Sequence, residues 1–264
     1  MKRNDVGIEL GILASLYFIE TLGGRKRMLH VFSRTEGLSG TEKRKSPDQL
    51  KVAVFGIGTV GSYAVEALAR AGVGTLILVD YGEVSAKKLN RQIVALRSTI
   101  GKKKVQVEKV RIMDINENAI VHTYETFLGE DTIDLFDFSS YDYVVDAMDH
   151  VPAKLLLLKQ MRKFHTPIIT CMGIGNAWNP SCFRIADFSK TVNLPFMRKI
   201  RQELKIQKAK NIKVFYSTQE FSKKKRSVLK EDQTSVGTQV NSISFSSGIA
   251  GFMIAAQVIS DLTE

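Results

Sequence analysis

The sequence predicts an α/β fold: a mostly parallel sheet with helices on both faces, followed by a basic insertion and a closing C-terminal helix. Three observations lead there. Short apolar runs alternate with helix-length segments between Lys51 and Cys171, and a glycine run, Gly56-Ile57-Gly58-Thr59-Val60-Gly61, stands where the first apolar run gives way to a helix. The chain has 264 residues, 44% of them hydrophobic, enough to bury a sizeable core.

Lys51 to Phe55 reads as a buried parallel strand that Gly56 ends. A helix follows from Val60 to Ala71 and stops at Gly72 and Gly74, after which Thr75 to Val79 forms a second strand ending in Asp80. Together they make a βαβ unit. Downstream, Lys103 to Ile115 is expected as a helix, Ala119 to Tyr124 and Tyr141 to Ala147 as strands, Val151 to Phe164 as a helix and Pro167 to Cys171 as a strand. Gly173, Gly175, Asn176, Asn179 and Pro180 mark a loop, and Phe183 to Phe188 returns as a strand. Gly248 to Ile259 is apolar but too short to cross a bilayer, and reads as a buried helix.

Residues 1–50 fit this pattern poorly. Met28 is a second candidate start, so residues 1–27 are expected to be an extension outside a single domain of residues 28–264. Val6 to Leu22 lies behind Lys2 and Arg3 as a signal sequence would, but Glu9 and Glu20 interrupt it and no small-residue cleavage site follows. Export is not expected. Cys171 and Cys182 alone exclude a disulfide-stapled scaffold and a full tetrahedral zinc set, and His30, His122, His150 and His165 lack metal spacing. A reducing, cytoplasmic location fits.

The 38 Lys and Arg against 27 Asp and Glu leave a net charge of +11. Arg198 to Lys230 holds 12 cations and 2 acids, a net +10, so the remainder is almost neutral. Phe215, Tyr216 and Phe221 lie among those lysines, a mixture that suits RNA, with bases stacking on the rings. Anionic lipid is the other polyanion such a tract attracts, as a peripheral contact at most.

The glycine run leaves a strand and opens a helix, the Rossmann-like context in which backbone amides and a helix N-terminus receive phosphate. Asp80, at the end of the second strand, can accept ribose hydroxyls. The same fingerprint serves NAD enzymes and adenylating enzymes. Leu89-Asn90-Arg91-Gln92 and the Lys102-Lys103-Lys104 run supply cations, and Val144 to Asp149, which holds Asp146 and Asp149, a carboxylate at a strand's C-terminal end that can hold magnesium, so ATP outranks NAD.

Val52 to Asp80, with Ser62-Tyr63-Ala64-Val65-Glu66-Ala67-Leu68-Ala69-Arg70-Ala71-Gly72-Val73-Gly74 after the loop, resembles the adenylating enzymes related to ubiquitin-activating enzymes. Within them it is most similar to the tRNA threonylcarbamoyladenosine dehydratases. Phe32-Ser33-Arg34-Thr35-Glu36, Asn90-Arg91-Gln92-Ile93, Met172-Gly173-Ile174-Gly175-Asn176 and Arg184-Ile185-Ala186-Asp187 carry the likeness further, from about Met28 to the C-terminus.

The resemblance implies ATP-dependent adenylation of the threonylcarbamoyl carboxylate of a modified tRNA adenosine, then ring closure with loss of AMP. It implies that Gly56, Gly58 and Gly61 form the nucleotide loop, that Asp80 holds the ribose, and that Arg91 and Lys104 meet the phosphates. Asp149 would work with Mg2+ at the reacting centre. Arg34 would reach across a homodimer into the neighbour's ATP, and a sulfur-relay or redox protein is a further candidate partner. The chain departs from the family pattern at Thr59, Lys88 and His150, and at Ser246-Ser247. Those departures motivate the alternative of a catalytically impaired paralogue that binds nucleotide and tRNA. An enzyme adenylating a sulfur-carrier or ubiquitin-like protein is another.

Overall fold

The structure is a computed structural model and describes residues 45–172, 174, 177–191, 200–203, 212–219 and 243–263. The expected extension at residues 1–27, Arg34, Phe221 and the Lys223 to Arg226 run lie outside the described residues.

Seven strands among the described residues form one sheet. They are β1 (Lys51–Phe55), β2 (Thr75–Val79), β3 (Ile120–Tyr124), β4 (Tyr143–Asp146), β5 (Ile168–Cys171), β6 (Phe183–Asp187) and β7 (Ile212–Ser217). Their order is β3-β2-β1-β4-β5-β7-β6, and each neighbouring pair is parallel except β6 with β7, which is antiparallel. Among the described residues the long helices that cover the sheet are α1 (Gly61–Arg70), α2 (Lys104–Ile115), α3 (Val151–Phe164) and α4 (Ser244–Thr263).

Alternate strand residues point to opposite faces, and each face has its own core. Val52, Val54, Leu76, Leu78 and Val145 pack with Ala64, Val65 and Leu68 of α1, Ile112 of α2 and Ile254 of α4. Ala53, Phe55, Ile77, Val79 and Val144 meet Leu157, Leu158 and Met161 of α3, with Phe136 and Phe138 beside them. Burial on both faces is why the central strands are apolar without alternation.

The basic tract needs a correction. Its middle, Ile212–Ser217, is β7, inserted between β5 and β6, and Phe215 and Tyr216 are buried core residues, not a stacking surface for RNA. Its cation Lys213 is already paired with Asp261 of α4. The same carboxylate accepts the Tyr143 hydroxyl of β4 at 2.7 Å, so one acid ties the closing helix to two strands. Burial and that carboxylate push the Tyr143 phenol upward in pKa. As expected, α4 packs its small residues inward: Gly248, Ala250, Gly251 and Ala255 are buried, with Gly248 and Gly251 set against Tyr63 of α1.

Candidate active site

From β1 the chain runs to β2 on one side, and β4 joins β1 on the other, so the strand order reverses at the C-terminal ends of β1 and β4. Ligands of open α/β sheets lie in the crevice at such a point. The glycine run sits there. Gly56 has a φ of +93°, and a Cβ on it would lie 2.8 Å from the Ala147 carbonyl and 2.9 Å from Met148 N. A Cβ on Gly61 would lie 1.9 Å from Gly56 O. These two glycines let the loop close on itself and on the end of β4. Gly58 is different: the nearest atom to its missing Cβ is Gln92 Nε2, at 3.9 Å, so what it provides is room.

α1 begins at Gly61 without a side-chain cap. Beside its start Gln92 is 7% exposed, with an Oε1 that has no hydrogen-bond partner among the described residues. An uncapped helix start and a buried amide oxygen without a protein partner suit a polar ligand at this place.

Asp80 forms the opposite wall. Its Oδ2 accepts from Ile57 N at 2.9 Å and its Oδ1 from Gly82 N at 2.7 Å, which couples the end of β2 to the glycine loop. Lys104, in the first turn of α2, reaches both oxygens at 3.0 and 3.1 Å. The sequence suggests separate roles for these two residues; the structure joins them as one buried ion pair. Arg91 comes in from the segment after β2, where its guanidinium donates to Lys87 O at 2.7 Å and Asn90 Oδ1 at 2.9 Å.

The third wall follows β4. Asp146 is fully buried, with Lys154 Nζ at 3.0 Å, the Thr170 hydroxyl donating at 2.6 Å, and Met148 N donating at 3.1 Å. Lys154 also donates to Cys171 O at 2.7 Å, so Cys171 lies in this buried layer as a core residue. That network fixes the turn leading to Asp149, whose side chain is exposed at the sheet's edge. His150 accepts from Ala153 N through Nδ1 at 3.3 Å and so caps α3, the work a serine or asparagine does at a helix start.

A row of rings completes the rim. Tyr81 is edge-to-face with Phe127 at 5.5 Å, and Phe127 with His150 at 5.0 Å. Tyr81 is 62% exposed and Phe127 38%, so the row faces outward beside Asp80 and Asp149. Neither ring stands out in the sequence, since Phe127 belongs to no periodic segment and Tyr81 merely follows the carboxylate. Gln92 shows there only as part of a motif. Of the predicted site residues, Gly56, Gly58, Gly61, Asp80, Arg91, Lys104 and Asp149 all lie on segments that meet at this edge, and Arg34 lies outside the described residues. Among the described residues no cluster of three His, Cys, Asp or Glu could hold a metal.

A doubly wound sheet with a glycine loop, a ribose-type carboxylate and cations at its switch point defines a nucleotide-binding α/β protein, and the chain belongs to the ThiF family, whose model matches residues 32–264. Its relatives narrow this further. It is 38% identical over 242 residues to the tRNA threonylcarbamoyladenosine dehydratase of Bacillus subtilis (strain 168), covering 89% of this chain and 95% of that protein. With the protein of the same name from Escherichia coli (strain K12) it shares 36% over 174 residues, 66% of this chain and 65% of that one. Among solved structures it is similar to E. coli TcdA, a tRNA N6-threonylcarbamoyladenosine dehydratase, in complex with ATP. The TM-score is 0.76, the identity 28% and the coverage 88% of this chain and 93% of that one.

Proposed function

We propose that this chain is an ATP-dependent tRNA N6-threonylcarbamoyladenosine dehydratase, acting through adenylation of a carboxylate. The observation that carries this reading is the meeting of the glycine loop, the Asp80–Lys104 pair and Asp149 at one sheet edge, in a chain aligned over 95% of the Bacillus relative's length.

ATP would place its ribose on Asp80 and its phosphates along Gly56 to Gly61 toward the start of α1, with Arg91 and Lys104 as cations. Its adenine would lie on the exposed side of the ribose carboxylate, against Tyr81 and Phe127. An oxygen of the substrate carboxylate attacks the α-phosphorus, the bond to the β-phosphate bridge breaks, and pyrophosphate leaves. A nucleophilic atom of the same threonylcarbamoyl group then attacks the activated carbonyl carbon and AMP departs with the carboxylate oxygen. The sum is loss of water from the nucleoside. Because the nucleophile is tethered it has a high effective molarity, and the protein's task is to position the groups and stabilise charge.

Asp149, exposed and lacking an ion-pair partner among the described residues, fits a magnesium site of one carboxylate completed by phosphate oxygens and water. Magnesium there would neutralise charge developing on the phosphate oxygens. Arg34 of a second copy is the expected further cation, which makes the working unit a homodimer in the cytoplasm. The part of the basic tract outside β7 would supply contact to tRNA.

Nucleoside digests of tRNA from a deletion strain test the reading. The cyclised nucleoside should disappear while its open precursor persists; a cyclic form that survives deletion overturns it.

A further inference from the structure

Trp178 is the chain's single tryptophan, and it is 68% exposed. Its backbone is tied down all the same. Trp178 N and Asn179 N both donate to Gln219 Oε1, at 3.0 and 3.2 Å, and the carbonyl of neighbouring Ala177 accepts from the buried Ser246 hydroxyl at 2.7 Å. Phe245, itself 41% exposed, meets the indole edge-to-face at 5.6 Å. The loop after β5, the end of β7 and the start of α4 thus combine to hold a pair of rings in solvent. A lone exposed ring carries little meaning, but a pair fixed from three elements forgoes burial and rotamer freedom together. Ser246, one of the chain's departures from the family pattern, supplies one of the ties.

The pair stands at the C-terminal edge of the parallel strands, the edge that carries the nucleotide site. β5 and β7 lie one and two strands from β4, about 5 and 10 Å across the sheet from the strand that leads to Asp149. Cations border the pair. Arg184 is exposed, donates to Ser181 O of the same loop at 2.7 Å and makes no ion pair among the described residues. Lys223 to Arg226 begin four residues after Gln219, so covalent connection alone keeps Lys223 within about 14 Å of it. Rigid exposed rings flanked by cations suit an unpaired RNA base, which has a face to stack and a phosphate on either side; bases inside a helix are already stacked. Phe215 and Tyr216 of the basic tract cannot take that part, because they are buried. We propose that Trp178, backed by Phe245, is the stacking platform for an unpaired base of the substrate tRNA close to the adenosine being modified. This inference rests on the tRNA-modifying reading above.

Binding of tRNA that carries the open nucleoside to the full chain tests it, comparing wild type with Trp178→Leu and Trp178→Phe over a range of salt concentrations. Loss of one stacked base should weaken tRNA about tenfold in Trp178→Leu, and Trp178→Phe should restore most of the loss. Because no charge is removed, the slope of log affinity against log salt should stay as in wild type. ATP affinity should stay within about twofold in both variants, and tRNA should quench the fluorescence of the single tryptophan in wild type. Parallel weakening of ATP and tRNA would mean that Trp178 only braces its loop, and a Trp178→Leu chain that sediments as a smaller species than wild type would mean that the ring belongs to a contact between copies; either result overturns the proposal. A wild type that binds no tRNA overturns the tRNA-modifying reading and this inference together. A wild type that binds tRNA beside an unaffected Trp178→Leu overturns this inference alone.

Discussion

Glu108 shows how one side chain on α2 can set a pH limit for the fold. It is fully buried, and neither carboxylate oxygen has a hydrogen-bond partner among the described residues. Glu66 repels it from α1, and Arg111, the nearby cation, is already taken by Glu66 at 2.6 and 3.0 Å. Burial first, then Glu66, push the Glu108 carboxyl up to about 8 from an ordinary value of 4.5. The folded chain therefore binds a proton that the unfolded chain has released between those values. The stability this contributes is full below about pH 4.5 and is lost as pH rises through about 8. Glu108→Gln should raise the melting temperature at pH 8 to 9, by an amount on the order of a few kcal/mol of stability, and change little near pH 5. Thermal melts at both pH values check this, and an equal shift at the two would exclude ionisation of Glu108 as the cause. None of this is legible in the sequence, where Glu108 reads as one more polar residue on an amphipathic helix.

Helices α1 and α4 meet through an absent side chain. A Cβ on Gly251 would lie 2.5 Å from Tyr63 Cβ, 2.6 Å from Val60 O and 2.8 Å from Ala64 N. Gly251→Ala should therefore lift α4 away from α1 and cost about 1–3 kcal/mol, seen as a lower melting temperature. The same displacement acts on the start of α1, so ATP affinity should fall with it. Gly248→Ala, whose Cβ would be 3.3 Å from Tyr63 Cε1, should be milder, and a Gly251→Ala protein that melts like wild type would show that the packing adjusts freely. The small residues of this helix and its burial are readable in the sequence. Strand β7 is not, because Lys205, Lys208, Lys210 and Lys213 precede or interrupt its apolar residues and the charge masks the strand. Only the sheet shows Val214 and Phe215 fully buried and Lys213 turned to Asp261.

For the whole molecule, the homodimer proposal makes activity depend on residues from two copies. Arg34→Ala and Asp149→Ala should each abolish pyrophosphate release on substrate tRNA when assayed alone. Mixed and allowed to exchange subunits, they should regain roughly a quarter of wild-type activity, because half the dimers carry one site with both residues intact. Failure to complement, with exchange shown by differently tagged subunits, would place Arg34 in its own copy's site or outside catalysis. The charge excess is also a whole-molecule property. With Lys213 paired and Phe215 buried, the basic tract cannot act as one continuous surface, and Lys223 to Arg226 become its most concentrated remaining cations. Neutralising those four should weaken tRNA binding and reduce the slope of log affinity against log salt by about 3 to 4. An unchanged slope would leave the run as ordinary solvated surface.

The alternating α/β order, the glycine loop between β1 and α1, Asp80 at the end of β2 and Asp149 beyond β4 are all legible in the amino-acid order. Each of these is a local signal, a period, a spacing or a turn residue, and local signals survive without knowledge of the partners. Packing in three dimensions is what inserts β7 between β5 and β6, lets Asp80 and Lys104 neutralise each other, and sets Tyr81, Phe127 and His150 in one rim. These are encounters between residues far apart in the chain, or choices between core and solvent for a charged tract, and their energies arise only when packing brings the charges and rings together.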